Sequence, residues 1–161
     1  AVAQALTEYA ALNDPEKGFE AVRDDFEMVF KEYGNTGAGE QARIVFAKIC
    51  YDASQFDLSY EHYLEALDVY EDQAAMESLL LSALGHVCIA KKDYKAAQSY
   101  FKKVEKADGS ILKDDALYSL ALIADAAGSR EKSRALYEKI AAEYGQSLYA
   151  PLARSKAGSQ Q

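Results

Sequence analysis

The segment Leu81-Ser82-Ala83-Leu84-Gly85-His86-Val87-Cys88, followed after a polar break by Ala97 and Phe101, decides the fold. Its pattern is a large residue at Leu81, a Leu-Gly pair at Leu84-Gly85, Cys88, then a small residue and an aromatic four apart. Three other stretches carry the same pattern: Leu117, Leu120-Ala121, Ala124, Ser133, Tyr137; Arg43, Phe46-Ala47, Cys50, Ser59, Tyr63; and Leu6, Tyr9-Ala10, Asn13, Val22, Phe26. In all four, Gly or Ala follows the large residue, and the next marked position lies 12 residues on: Ala10 to Val22, Ala47 to Ser59, Gly85 to Ala97, Ala121 to Ser133. Self-similarity at this period predicts stacked helical hairpins, because one hairpin cannot bury its apolar face alone. The tiny side chains belong where two helix axes approach most closely, and a large side chain there would hold the helices apart. The 12 Tyr and 6 Phe are accordingly expected to fill the grooves between helices.

Break signals fit this register. Turns within repeats are predicted at Asn13-Asp14-Pro15, Ser54-Gln55, Lys92-Asp93 and Gly128-Ser129, while Gly34, Gly109 and Gly145 stand just past predicted helix ends, as left-handed caps would. Eight helices and a ninth follow. The small marks Ala10, Ala47, Gly85 and Ala121 are 37, 38 and 36 residues apart, so the variation sits in the connections between repeats. Two connections echo each other 111 residues apart: Glu32-Tyr33-Gly34-Asn35-Thr36 leads into Ala42-Arg43, and Glu143-Tyr144-Gly145-Gln146-Ser147 into Ala153-Arg154. The tail from Leu148 therefore reads as the first helix of a fifth unit, serving as a cap at an open end.

With these residues the sequence resembles the tetratricopeptide repeat superfamily over nearly its whole length. The resemblance implies an all-α, right-handed α-solenoid of four helix pairs plus a C-terminal capping helix, as a single domain over 1–161, with repeats at about 3–34, 40–71, 78–109 and 114–145 and the cap at 148–157. The Glu-Tyr-Gly connections and Leu148-Tyr149-Ala150-Pro151-Leu152-Ala153 are similar to bacterial cell-envelope members, such as the ancillary translocon subunit with a membrane anchor and a periplasmic repeat domain. Such proteins are non-enzymatic scaffolds that hold a protein or peptide partner, which implies a periplasmic or envelope location with a possible membrane tether; the cytoplasm is the alternative. The sequence departs from the family in placing Gly34, Glu71, Gly109 and Gly145 where proline is usual, and Arg43 at a normally apolar position.

Composition excludes several classes. The chain has 161 residues, half of them apolar, with 9 Gly and 2 Pro, so it is long and apolar enough to bury a core and is neither disordered nor collagen-like. Its 26 acidic against 18 basic side chains give a net charge of -8, which disfavours general binding to nucleic acid. The best apolar run, Leu79 to Ala90, is interrupted by Ser82, Gly85 and His86 and is too short to span a bilayer. The chain begins at Ala1 and not at Met, so a processed or trimmed product is expected. Residues 1–80 carry 5 basic and 17 acidic side chains, and residues 81–161 carry 13 and 9. That asymmetry offers an alternative function, a structural module that associates with its own copies through opposite charges.

Catalytic and metal signatures are missing. The chain has no phosphate-binding Gly-x-x-x-x-Gly-Lys, no His-Glu-x-x-His, no Cys-x-x-Cys and no Gly-x-Ser-x-Gly, so no catalytic, cofactor or metal site is expected. Gly34-Asn35-Thr36-Gly37-Ala38-Gly39 follows a predicted helix and lacks a phosphate-neutralising lysine, so it reads as a linker. His62 and His86 are expected to face solvent or a groove. Asp24-Asp25 and Asp114-Asp115 are sequence neighbours, so their side chains diverge on a helix, and they are expected to be exposed. Cys50 and Cys88 share one template position in successive repeats, too far apart for a disulfide, and are expected as buried thiols.

In the superfamily the first helix of each repeat lines the concave face. Carried over by register, this implies a partner-binding groove formed by Ile44, Lys48 and Tyr51, by Ser82, His86 and Ile89, and by Tyr118, Leu122 and Asp125. Rings, aliphatics and few charges suit an extended or helical peptide. Ile44, Lys48, Ser82 and His86 replace the family's carboxylate clamp, which disfavours chaperone tails. Lys95, Lys102, Lys103 and Lys106 on the second helix of the third repeat read as a solvated face, with an anionic membrane surface as the alternative.

Overall fold

Four times the chain forms a helix, reverses within a few residues and forms a second helix. The computed structural model describes residues 2–158. Its hairpins are α1 (Val2–Leu12) with α2 (Pro15–Tyr33), α3 (Gly37–Asp52) with α4 (Phe56–Val69), α5 (Ala74–Ala90) with α6 (Tyr94–Lys106), and α7 (Lys113–Ala126) with α8 (Arg130–Glu143); α9 (Ala150–Gly158) follows. Nine helices and no strand occur among the described residues. Contacts divide the chain into two compact units, one up to Asp72 and one from Gln73. Within each unit, consecutive helices pack on one another.

Three of the hairpin turns are built alike. Ser54 (φ 59°), Lys92 (φ 62°) and Gly128 (φ 71°) are left-handed, and the next residue's N–H closes the turn onto a carbonyl five residues back: Gln55 to Cys50 at 2.8 Å, Asp93 to Cys88 at 2.8 Å, Ser129 to Ala124 at 2.9 Å. This arrangement satisfies carbonyls that the end of a helix would otherwise leave unpaired. It also explains why Cys50, Cys88 and Ala124 share one place in the template. Side-chain caps then start several helices: Asp14 accepts from Lys17 N at 3.2 Å ahead of Pro15, Thr36 from Gly39 N at 3.1 Å, and Asp93 from Ala96 N at 3.0 Å. Thr36 makes Gly37–Gly39 the first turn of α3, so the glycine-rich stretch expected as a linker is a capped helix start.

The small marks lie inside. Ala47, Gly85 and Ala121 are buried on first helices, and Ser59, Ala97 and Ser133 on second helices. A methyl group built on Gly85 would come 2.7 Å from Phe101 Cζ, so only hydrogen fits there without moving the ring. In the first unit the core gathers around Phe46, whose ring centroid is 5.0 Å from that of Phe26, 5.6 Å from Phe30 and 5.9 Å from Phe19. In the second, Leu117, Ala121, Tyr137, Ile140 and Ala153 form a cluster that joins α7, α8 and α9.

The first hairpin departs from its expected register. Ala10, read as a small mark, is exposed, and the turn comes at left-handed Asn13. Measured from the left-handed residue, Gly18 and Val22 take the places that Ser59 and Tyr63 hold in the second hairpin. The close approach is therefore at Gly18, where an added methyl would meet Tyr9 Cδ2 at 2.6 Å. A shift of four residues is close to one helical turn, so it keeps the apolar face inward while moving every mark.

The caps also differ from expectation. Of the three glycines beyond helix ends, only Gly109 (φ 71°) is left-handed; Gly34 is right-handed (φ -57°), and Gly145 does not have a positive φ. At Gly34 the chain continues the helical path, its N–H on Phe30 O at 3.0 Å, until Thr36 starts the next helix. The echo between connections does have a physical counterpart. Thr36 N donates to Tyr33 O and Ser147 N to Tyr144 O, both at 2.9 Å, and Ala42 and Ala153 are buried. Arg43 Nη2 lies 3.7 Å from a Cβ built on Gly34, and Arg154 Nη2 lies 3.4 Å from one built on Gly145.

Candidate functional site

A connected group of polar side chains in the second unit is centred on Asp115, in the first turn of α7. Ser82 and His86 stand one turn apart on α5 and so share a face. Ser82 Oγ donates to Asp115 Oδ2 at 2.8 Å, and His86 Nε2 lies 3.3 Å from the same oxygen. From the segment before α9, Tyr149 OH donates to Asp115 Oδ1 at 2.7 Å. Next to it, Asp114 accepts from Ser147 Oγ at 2.5 Å. The two carboxylates diverge, as the sequence implies, but both are half-buried and engaged and not exposed. Asp115 is 17 % exposed. Burial alone would raise its pKa; the hydrogen bonds from His86, Tyr149 and Ser82 outweigh that and hold it below the usual carboxylate value. Burial and the Asp115 carboxylate push the Tyr149 hydroxyl up to about 12.

Rings cover this network. Tyr149 stacks on Tyr118 at 4.5 Å and 17°, and His86 meets Phe101 edge-on at 5.1 Å and 74°. One turn beyond Tyr118, Leu122 is 40 % exposed. Tyr137, fully buried, donates its hydroxyl to Asp125 at 2.9 Å; burial and that carboxylate raise its pKa. Ser, His and Asp are thus together, but Ser82 and His86 address the carboxylate in parallel. Nucleophilic catalysis needs them in series, with the imidazole taking the serine proton. The geometry describes a structural clasp between α5, α7 and the segment entering α9. Among the described residues no group of three or more His, Cys, Asp and Glu is placed to hold a metal ion.

No family model matches the chain, and no curated protein matches it in sequence. The functional reading therefore rests on the residues themselves. Of the nine groove positions, six fall in the second unit. His86 has 42 % of its side chain exposed, Ile89 and Tyr118 are half-buried, Leu122 is exposed, Ser82 is buried on Asp115, and Asp125 is engaged by Tyr137. The other three lie on α3 in the first unit. Lys48 is exposed, pairs with Asp52 and lies 6.0 Å from the centre of the Tyr51 ring, which meets Phe56 edge-on at 5.7 Å; Ile44 is half-buried.

Arg43, read only as a departure from the family, is the centre of a second cluster. It pairs with Glu40 at 3.3 Å and with Glu65, and its guanidinium lies 5.1 Å over the Phe30 ring. Arg43 Nη1 is 3.5 Å from His62 Nδ1. His62, expected to face solvent or a groove, is half-buried: its ring packs against Phe30 at 5.2 Å and Phe46 at 5.1 Å, and burial lowers its pKa. Cys50 and Cys88 are both free and buried, and burial pushes the Cys50 thiol up to about 12. A signal for the Asp115 clasp was present in the sequence. Ser82–Asp115 and Asp114–Ser147 are 33 residues apart, and Asp115–Tyr149 and Glu105–Lys139 are 34 apart, so polar links recur at nearly the repeat length. No helix among the described residues is long and apolar enough to cross a membrane.

Proposed function

We propose that this chain is a non-catalytic protein-binding scaffold built as a solenoid of tetratricopeptide type, which takes a protein or peptide segment along α5 and α7, the first helices of the hairpins in the second unit. One observation carries the reading. On α5 and α7, His86, Ile89, Tyr118 and Leu122 offer an open mixture of rings and aliphatic carbon, while the Asp115 clasp beneath engages the nearby polar groups. Rings held by stacking and buried hydrogen bonds lose little freedom when a partner docks, which favours affinity. Support for the solenoid is the recurrence of buried small marks in three hairpins; support for a bacterial envelope location is the resemblance of the Glu-Tyr-Gly connections.

Photo-crosslinking in cells tests the reading. A photoreactive residue at Leu122 or Tyr118 should capture a defined partner, while one at Lys132, exposed on α8, should not. Leu122→Glu, introduced beside a probe at Tyr118, should abolish the capture without lowering thermal stability. Equal capture from Leu122 and Lys132 would refute it.

A further inference from the structure

Two exposed charge stripes, one in each unit, have spacings that match. On α6, Lys95, Lys102, Lys103 and Lys106 are exposed, and none of the ion pairs among the described residues draws on them; Lys103 lies 5.9 Å over the Tyr100 ring. Lys95, Lys102 and Lys106 lie within about 20° of one line on the helix surface, and at 1.5 Å per residue the line is roughly 16 Å long. On α2, Glu16, Glu20, Asp24 and Glu27 are exposed. The lysines stand at intervals of seven and four residues; read from the C-terminal end of α2, Glu27, Glu20 and Glu16 stand at the same intervals in the same order.

We propose that α6 of one copy docks antiparallel on α2 of a second copy, pairing Lys95 with Glu27, Lys102 with Glu20 and Lys106 with Glu16. In that register Arg23, which already lies 3.3 to 3.9 Å from Asp24, Glu20 and Glu27, comes opposite Ser99, in the gap between Lys95 and Lys102. Of the other cations on α2, Lys17 comes opposite Glu105, and Lys31 comes opposite Lys91 just before α6 begins, which marks the end of the complementary stretch. Net charge distinguishes this partner from an anionic bilayer. Residues 1–72 carry 16 acidic and 5 basic side chains, and residues 73–161 carry 10 and 13. An anionic membrane that attracted α6 would repel the first unit of the same molecule, whereas a second copy's first unit is complementary to α6. Each copy holds both stripes, so the contact either closes on itself or propagates, and both are self-association.

Sedimentation velocity at rising ionic strength reads the contact. The wild type should associate at about 25 mM salt and become monomeric near about 500 mM, where the screening length falls to a few ångströms. Lys95→Glu/Lys102→Glu/Lys106→Glu and Glu16→Lys/Glu20→Lys/Glu27→Lys should each be monomeric at low salt with unchanged helical content. Mixing these two variants should restore association, because the charges are complementary again with their signs exchanged. A wild type that stays monomeric at low salt, a mixture that fails to associate, or a monomer that binds phosphatidylglycerol vesicles through these lysines would overturn the proposal. The milder Lys95→Gln/Lys102→Gln/Lys106→Gln should weaken self-association at least tenfold, and an unchanged constant would count equally against it.

Discussion

Gly85→Leu probes the close approach between α5 and α6. An added Cβ would stand 2.7, 2.8 and 2.9 Å from three carbons of the Phe101 ring, against about 3.5 to 4.0 Å for carbon atoms at optimal separation. The ring would have to retreat by nearly an ångström for Ala alone, yet Phe101 is fully buried and His86 meets it edge-on at 5.1 Å. Overpacking of this kind costs about 1 to 3 kcal/mol, and Ala recovers about 1 kcal/mol from its better helix propensity. Gly85→Ala should therefore lose about 1 kcal/mol net. Leu carries three further carbons into the same space, and its loss should be about 3 kcal/mol or more.

Urea denaturation followed by circular dichroism measures both losses. In thermal melts each kcal/mol corresponds to about 2 to 4 °C for a chain of this length. Gly37→Ala is the control: an added Cβ there has nothing within 4 Å, so stability should hold or rise slightly. Combining Gly85→Ala with Phe101→Leu should cost less than the sum of the two single changes, because the smaller side chain vacates the contested space. A Gly85→Leu protein that unfolds like the wild type, or a double variant with strictly additive losses, would refute the packing argument.

Ser59 Oγ is buried without a hydrogen-bond partner, and Ala97 holds the equivalent place in the next hairpin, so Ser59→Ala should be neutral or raise stability by about 1 kcal/mol in the same titration. His62 has its pKa lowered by burial, so the folded state binds its proton less readily than the unfolded chain. Its contribution is present above the unfolded value of about 6.5 and is lost as pH falls from there through the lowered folded value, so stability should drop as pH falls below about 6.5, and His62→Phe should reduce that drop. Asp115 also has a lowered pKa, so its contribution is present above about pH 4 and is lost as pH falls through its folded value. Asp115→Asn should cost about 1.5 to 3 kcal/mol at neutral pH, and Tyr149→Phe about 0.5 to 1.5 kcal/mol, both read as shifts in the urea midpoint.

The hairpins from Arg43 onward were legible because their marks are enforced by volume. No larger side chain fits at Gly85, and the turns at Ser54, Lys92 and Gly128 close on the carbonyls of the marked Cys50, Cys88 and Ala124. The Asp115 clasp was only half legible. Ser82 and His86 were placed on one helix face, but nothing local to Asp114-Asp115 distinguishes a buried acceptor from a solvated charge; its partners lie at least 29 residues away. The surroundings of His62 were hidden for a related reason. Its burial comes from Phe30 and Phe46, both on other helices, and from Arg43, whose charge looks out of place until Glu40 and Glu65 are beside it.

The slip in the first hairpin shows what the pattern encodes. The other three hairpins put small residues at both positions nearest the turn, Cys50 with Ser59, Cys88 with Ala97 and Ala124 with Ser133; the first puts Tyr9 against Gly18. A phenol ring facing a hydrogen atom, and two small residues at these positions, both leave room for two helix axes to come within packing distance. A template that scores each position alone therefore takes Ala10 for the mark because it has the right size in the wrong place. Read as pairs, Gly18 and Tyr9 belong together for the same reason as Gly85 and Phe101: in each, the ring occupies the space a methyl group would need.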